Sequence, residues 1–412
     1  MRHPGRLDRL LASEEDIPLE MVMLLIGGMA LAITGGLLFP VAAGTLPYYE
    51  DGFFGLLLIV FALQTITLGK TPFGELRRSV PVLGFGVVIA AIGMVTCFIP
   101  GLFDPLPRLL LAACFGLGGA LQLVRANLDP ALMRTWQRQG GILHTLTVAC
   151  WLVYGLSLLA GILLWAQPPL QTPVTAALML LFGAAVIYLG GVLRLVYRAY
   201  LEAEPSRRDQ LGFTLDHSML LVVGVFMILL GGLLIPVSLG WLPFSRSAQL
   251  GLLMIIFAIQ MLAAGNTPIG LVLPRSWVVV GCGVLFAALG IISCVIPELL
   301  AAPLIYLVAV LNILGGLIPL GKRLYLAARP ADGGGVPAHP LLTQLARTQL
   351  ALALLSVMFG SSMLVPGIIP GVVVGAILAM NGGAILYLLR ILLAISALAR
   401  QLQAAQSNPH IQ

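Results

Sequence analysis

The stretch VLGFGVVIAAIGMVTCFIPGLFDPLPRLLLAACFGLGGALQLVRA, residues 82–126, carries the plan of the chain in one unit. It reads as two apolar runs, 81–99 and 107–125, separated by a turn that holds Pro100, Gly101 and Pro105. Each run has the roughly 17–25 residues needed to cross a bilayer. Hydrocarbon offers a backbone no partners, so such a run must satisfy its own amides as a helix. Arg125 closes the second run at the end opposite the prolines. The unit is a membrane hairpin.

Further apolar runs flank it at 21–40, 53–69, 142–165 and 172–195, and a second series follows at 217–236, 248–265, 276–296, 303–321, 346–365 and 370–393. Of the 412 residues 59% are hydrophobic and 9% charged, with a mean hydropathy of +1.04. A soluble domain carries roughly 25% charged residues, so lipid is the expected solvent. The net charge of +6 lies in short loops, which speaks for topology and against nucleic acid. With the N-terminus in the cytoplasm, 20 Lys and Arg fall on inner segments and only Arg108 and Arg246 on outer ones. This bias predicts both termini inside. The charged opening MRHPGRLDRLLASEEDIPLE has no short apolar run with a cleavage site after it, so no removed signal peptide is expected.

Internal similarity organises the series. AITGGLLFPVAAGTLP (32–47) returns as ILLGGLLIPVSLGWLP (228–243), and FALQTITLGKTPFG (61–74) as FAIQMLAAGNTPIG (257–270). LGFGVVIAAIGMVTCFIP (83–100) returns as VGCGVLFAALGIISCVIP (280–297), so the offset holds at 196–197. The expected organisation is a cytoplasmic segment 1–20, a six-helix repeat 21–200, a linker 201–215, a second six-helix repeat 216–395 and a cytoplasmic tail 396–412. Six spans each give the copies one orientation. Within each half, glycines seven apart precede a proline, as in Gly28, Gly35 and Pro40 or Gly86, Gly93 and Pro100. Gly pairs mark the partner helices, among them Gly118–Gly119 and Gly382–Gly383. Small residues let helix backbones approach in lipid. The fold class is all-α integral membrane, with about 12 transmembrane helices as six hairpins in two parallel pseudo-repeats.

The hairpin with spaced glycines, a proline at the outer turn and a terminal Arg resembles the HdeD-like acid-resistance membrane proteins, a family built on a short membrane repeat of unknown function. Its members typically have six spans, so this chain looks like a tandem duplication of one. The resemblance implies an envelope-stress role and brings no catalytic residues.

GKTPFG (69–74) and GNTPIG (265–270) lack the GxxxxGK[ST] spacing and a preceding strand, so they are not phosphate-binding loops. A glycine ends one helix and a turn at Thr71 and Pro72, or Thr267 and Pro268, starts the next; the alternative is a pair of docking or gating loops. Gln64, Gln260, Asn312 and Asn381 are the candidate polar interior positions. Such amides glue helices together or line a cavity. Tyr188 and Tyr387 match between halves and are expected to bridge helices, while Trp165 and Trp241 read as interfacial anchors. The five cysteines lie inside apolar runs without CxxC spacing, which predicts buried free thiols and no metal site. No Asp, Glu or Lys falls near the middle of a span, whereas ion pathways usually need one.

No catalytic group, cofactor or metal is therefore expected. The leading expectation is a non-enzymatic accessory, assembly or envelope-stress component, with the lipid bilayer and a larger membrane protein complex as partners. The alternative is a 12-helix secondary transporter for a small solute, although the two-helix repeats differ from the inverted three-helix repeats of the major facilitator type. A bacterial inner membrane, or an internal membrane continuous with it, is the expected location.

Overall fold

The computed structural model describes residues 19–75, 79–128, 141–166, 173–199, 215–264, 277–327, 340–365 and 370–407. The 201–214 part of the linker, Thr267, Pro268 and the first 18 residues lie outside them. Among the described residues there are twelve α-helices: α1 (Leu19–Ala42), α2 (Glu50–Leu68), α3 (Val80–Phe98), α4 (Leu106–Leu128), α5 (Ile142–Ala166), α6 (Pro173–Ala199), α7 (Leu215–Ser238), α8 (Arg246–Ala264), α9 (Trp277–Val295), α10 (Ala301–Ala327), α11 (Pro340–Leu364) and α12 (Gly371–Ser407). Eleven are long and apolar enough to cross a membrane. The twelfth, α8, is also apolar along most of its length but opens on Arg246, Ser247 and Gln249. The chain is a polytopic helical membrane protein.

The prolines sit slightly inside the helix ends rather than at them. Pro40 and Pro236 each precede the last residue of their helix by two. Proline removes its own N–H but leaves its carbonyl free to close the helix. The Thr45 amide donates to the Pro40 carbonyl at 3.0 Å and the Trp241 amide to that of Pro236 at 3.0 Å. Gly44 and Gly240 take the left-handed conformation that these caps require.

Contacts divide the chain into two units that do not follow the repeat boundaries. The first comprises Met1–Gly212, Pro243–Thr267 and Val272–Leu304; the second comprises Phe213–Leu242, Pro268–Leu271 and Ile305–Gln412. Helices α8 and α9, second-repeat elements by sequence, thus belong with α1–α6.

Within the first unit, α2 is one of the most enclosed helices, with Phe53, Phe54 and most of Leu56–Leu63 buried. Among α1–α6, three antiparallel pairs approach closely enough for backbone contact. Gly55 lies against Gly93 and Cys97 between α2 and α3, Gly161 against Gly116 between α5 and α4, and Gly183 against Gly28 and Ala32 between α6 and α1. Among α1–α6 the glycine contacts thus join neighbouring hairpins, through 2–3, 4–5 and 1–6, and the helices α3 and α4 that share the turn at Pro100 touch little; Gly251 and Gly290 join α8 to α9 in the same way, and Gly52 of α2 meets the Cys294 carbonyl of α9. The reason is positional: a glycine face packs where another flat face meets it, and the Pro100 turn leaves the two ends of its hairpin splayed.

Helices α2, α3, α8 and α9 meet through reciprocal hydrogen bonds. The Tyr49 amide donates to the Val295 carbonyl at 2.9 Å, and the Ser245 amide to the Phe98 carbonyl at 2.9 Å. Both bonds join matching positions of the two similar sequence stretches. The Cys97 thiol donates to the Gly52 carbonyl at 3.3 Å and that of Cys294 to Ala248 at 3.6 Å, again in matching positions. Where Asp51 accepts the Gly101 amide at 2.8 Å, Ser247 accepts that of Glu298 at 3.1 Å.

In the second unit, Gly231 of α7 packs on Gly375 and Ala379 of α12, and Gly360 of α11 packs on Ala309 and Ile313 of α10. The same spacing that joins α1 to α6 and α4 to α5 is used again.

Candidate functional site

A cavity of about 870 Å³ lies inside the first unit, walled by α1, α2, α4, α5 and α6. On α6 its lining residues are Phe182, Val186, Leu189, Leu193 and Tyr197, three or four apart and so on one helical face. Those fifteen residues of separation measure about 22 Å at ~1.5 Å each, against a hydrocarbon core of roughly 30 Å. The cavity is a deep vestibule that begins at the end of the bundle where the GKTPFG loop lies.

Its depth is aromatic. Phe115 sits edge-on to Phe61 at 5.3 Å and to Phe182 at 5.5 Å, an arrangement that aligns ring edges with ring faces. Ser157 closes this level from α5 by donating to the Phe115 carbonyl at 3.0 Å. The bond is possible because Gly119 and Gly161 draw α4 and α5 together.

Toward the mouth the walls become polar, with Glu20 on α1, Gln64 on α2, Gln122 and Arg125 on α4, and Tyr197 on α6. The Tyr197 hydroxyl donates to Glu20 Oε2 at 2.6 Å, a charge-assisted bond that ties the carboxylate to the wall. Arg125 is exposed at the rim. Among the described residues, no hydrogen bond or ion pair engages the side chains of Gln64, Gln122 or Arg125.

The GKTPFG segment forms part of the wall. Gly69 ends α2 in the left-handed conformation, with its amide donating to Thr65. The following residues do not start a helix. They form a two-stranded hairpin in which Lys70 pairs with Glu75 and Thr71 with Gly74, and α3 begins only at Val80 with Pro81 in its first turn. The turn is held inward because Pro72 rests on Gly118 of α4. A side cavity of about 480 Å³ lies beyond it, between α2, α3 and α4, sharing Phe61, Thr71, Pro72, Cys114 and Arg125 with the vestibule.

Of the other sequence candidates, Gln260 is half-buried in α8 and is not part of these cavities. The Asn312 side-chain amide donates to the Val308 carbonyl of its own helix at 2.8 Å, and the Ser356 hydroxyl of α11 donates to the Asn312 backbone carbonyl at 2.8 Å, with Asn312 Oδ1 3.4 Å away. The bond between the two helices is thus made chiefly by the Ser356 hydroxyl, and the Asn312 N–H donors are turned back onto their own helix. Asn381 is buried in α12. Both asparagines stand where the first repeat has the cavity's aromatic residues: the 197-residue offset of α10 relates Asn312 to Phe115, and the 199-residue offset of α12 relates Asn381 to Phe182. Tyr188 and Tyr387 are 53% and 45% exposed and bridge no helices; each follows by five a glycine that faces a partner helix, which turns it away from that contact. Trp165 and Trp241 are exposed near helix ends, as interfacial anchors are.

Sequence reasoning missed Glu20, Gln122, Arg125 and Tyr197. In the sequence Glu20 looks like the edge of the N-terminal segment and Arg125 like a topology charge. The available signal was the 3.6-residue recurrence of Phe182 through Tyr197 ending on a polar ring.

Cysteines 97 and 294 are buried, 114 and 150 lie half-buried in the cavity wall, and 282 is exposed. Among the described residues no group of three or more His, Cys, Asp or Glu is placed to hold a metal ion. No protein-family model, curated protein or solved structure matches the chain.

Proposed function

We propose that this protein is a non-enzymatic, solute-binding membrane protein of the secondary-transporter class, whose binding site is the vestibule of the first six helices. The observation that carries the reading is the vestibule itself. Its volume falls within the ~300–1,000 Å³ typical of ligand sites, and its polar mouth leads to an apolar, aromatic end. A component that acts only by packing against partners, as the HdeD-like resemblance suggests, has no use for such a space. The charge bias of the loops puts the mouth on the cytoplasmic side, so the vestibule is inward-facing. The ring contact of Phe61, Phe115 and Phe182 is then the barrier to the other side.

Native cysteines provide the test. In inside-out vesicles, a membrane-impermeant maleimide is expected to modify Cys114 and Cys150 while Cys97 and Cys294 stay unmodified, as read by peptide mass spectrometry. In right-side-out vesicles Cys114 and Cys150 should be protected. Absence of labelling at both from either side would mean a dry, closed interior and would return the protein to an accessory role.

A further inference from the structure

We propose that the vestibule takes a single-chain anionic amphiphile, which arrives from the bilayer between α3 and α4, passes the Thr71–Pro72 turn and sets its head on Arg125. The inference rests on the solute-binding reading above and names the class of solute. Three observations converge on it.

The first is which polar groups are free. Among the described residues Glu20 is the only carboxylate in the cavity wall, and Tyr197 already donates to it at 2.6 Å. Gln64, Gln122 and Arg125 have no partner among the described residues, and all three offer N–H donors. A carboxylate or phosphate head satisfies donors of this kind, and Arg can hold it through two parallel bonds. A cationic head would have to compete with Tyr197 for Glu20 and would approach an unpaired guanidinium.

The second is what lies beneath the head. The vestibule runs about 22 Å along α6 and ends on phenyl rings. A small hydrophilic anion would leave this depth unfilled. An alkyl chain buries it.

The third is the route. The side cavity is lined by Phe73, Phe85 and Ile89 as well as by residues shared with the vestibule. Phe85 is 56% exposed on the outer face of α3, where lipid is the surrounding medium. No glycine contact draws α3 and α4 together, unlike the tightly joined pairs on either side. The Thr71–Pro72 turn is the partition between the two spaces, and among the described residues Arg125 is the one charged residue that lines both. An amphiphile can therefore keep its head on Arg125 while its chain moves from the side cavity to the vestibule.

The test uses the full chain in phosphatidylcholine vesicles and reads the maleimide labelling of Cys114 and Cys150 during titration with laurate, dodecyltrimethylammonium or butyrate. Laurate is expected to protect both cysteines and butyrate neither. The laurate midpoint should rise about ten- to hundredfold in Arg125→Gln, the usual worth of a hydrogen bond to a charged group. Arg125→Lys should recover part of that loss. Unreactive Cys97 and Cys294 in each variant report that it has folded. Ala113→Trp, which fills the side cavity alone, should slow laurate protection without moving its midpoint. Protection by dodecyltrimethylammonium and not by laurate would overturn the anionic assignment and leave the binding cavity standing. Equal protection by butyrate would overturn the bilayer route. Cysteines that label but are protected by no probe would overturn this proposal alone, whereas cysteines that never label would overturn the solute-binding reading with it.

Discussion

Two glycines on one helix allow the packing argument to be measured. Gly155 and Gly161 both lie within α5, but a Cβ on Gly155 would meet nothing within 4 Å, whereas one on Gly161 would run into the backbone of Gly116 and Phe115. Gly→Ala gains about 1 kcal/mol of helix propensity at either site, so that term cancels in the comparison. What remains at Gly161 is overpacking against a backbone that cannot rotate away, which costs roughly 1–3 kcal/mol. The displacement also stretches the bond from Ser157 to the Phe115 carbonyl, now 3.0 Å, and interhelical bonds of this type contribute about 0.6 kcal/mol in lipid. Gly161→Ala should therefore be less stable than Gly155→Ala by roughly 1.5–3.5 kcal/mol. Reversible unfolding of the two variants in a mixed-micelle titration with SDS, followed by tryptophan fluorescence, would measure the gap. Equal midpoints for the two would refute the claim that backbone contact at this glycine holds α4 to α5.

Other consequences follow from the same geometry. Phe115→Ala removes both edge contacts at the end of the vestibule, and at about 0.5–1.5 kcal/mol for each ring pair it should destabilise the protein by roughly 1–3 kcal/mol. It should also make Cys114 label faster with impermeant maleimide; an unchanged rate would mean that the rings are not the barrier. Ser247→Ala takes the acceptor from the Glu298 amide and should cost about 1–3 kcal/mol for the group left unpaired, measured by thermal unfolding in detergent. Tyr197→Phe removes the hydroxyl that donates to Glu20, so binding of laurate should weaken because the carboxylate charge is less well screened, by a few-fold on the order of 1 kcal/mol. Tighter binding would count against the engaged state of that carboxylate. Cys282, exposed on an apolar helix, should react with a lipid-soluble maleimide and resist an impermeant one.

Much of the architecture was legible in the sequence because bilayer physics is severe. A segment such as 82–126 has no soluble alternative, and spans, turns and the glycine faces are local properties of the chain. The near-constant offset between the halves likewise announced which residues would play matching parts, and Tyr49 with Ser245, or Cys97 with Cys294, do so. Gln64, Thr71 and Pro72 were identified as candidates, and they line the cavity. Their equivalents Thr267 and Pro268 lie outside the described residues, and Gln260 takes no part in these cavities.

Which faces meet was a tertiary decision. A glycine pair states that a helix can be approached closely, not by which neighbour, and α2 found α3, α4 found α5 and α1 found α6. The assignment of α8 and α9 to the first unit rests on amide-to-carbonyl bonds at helix ends, and every residue offers those groups whatever its side chain. The cavity was hidden for a related reason. Glu20, Gln122, Arg125 and Tyr197 come from three helices and look, one at a time, like ordinary interfacial residues; only their convergence, with one charge engaged and another left free, makes them a site.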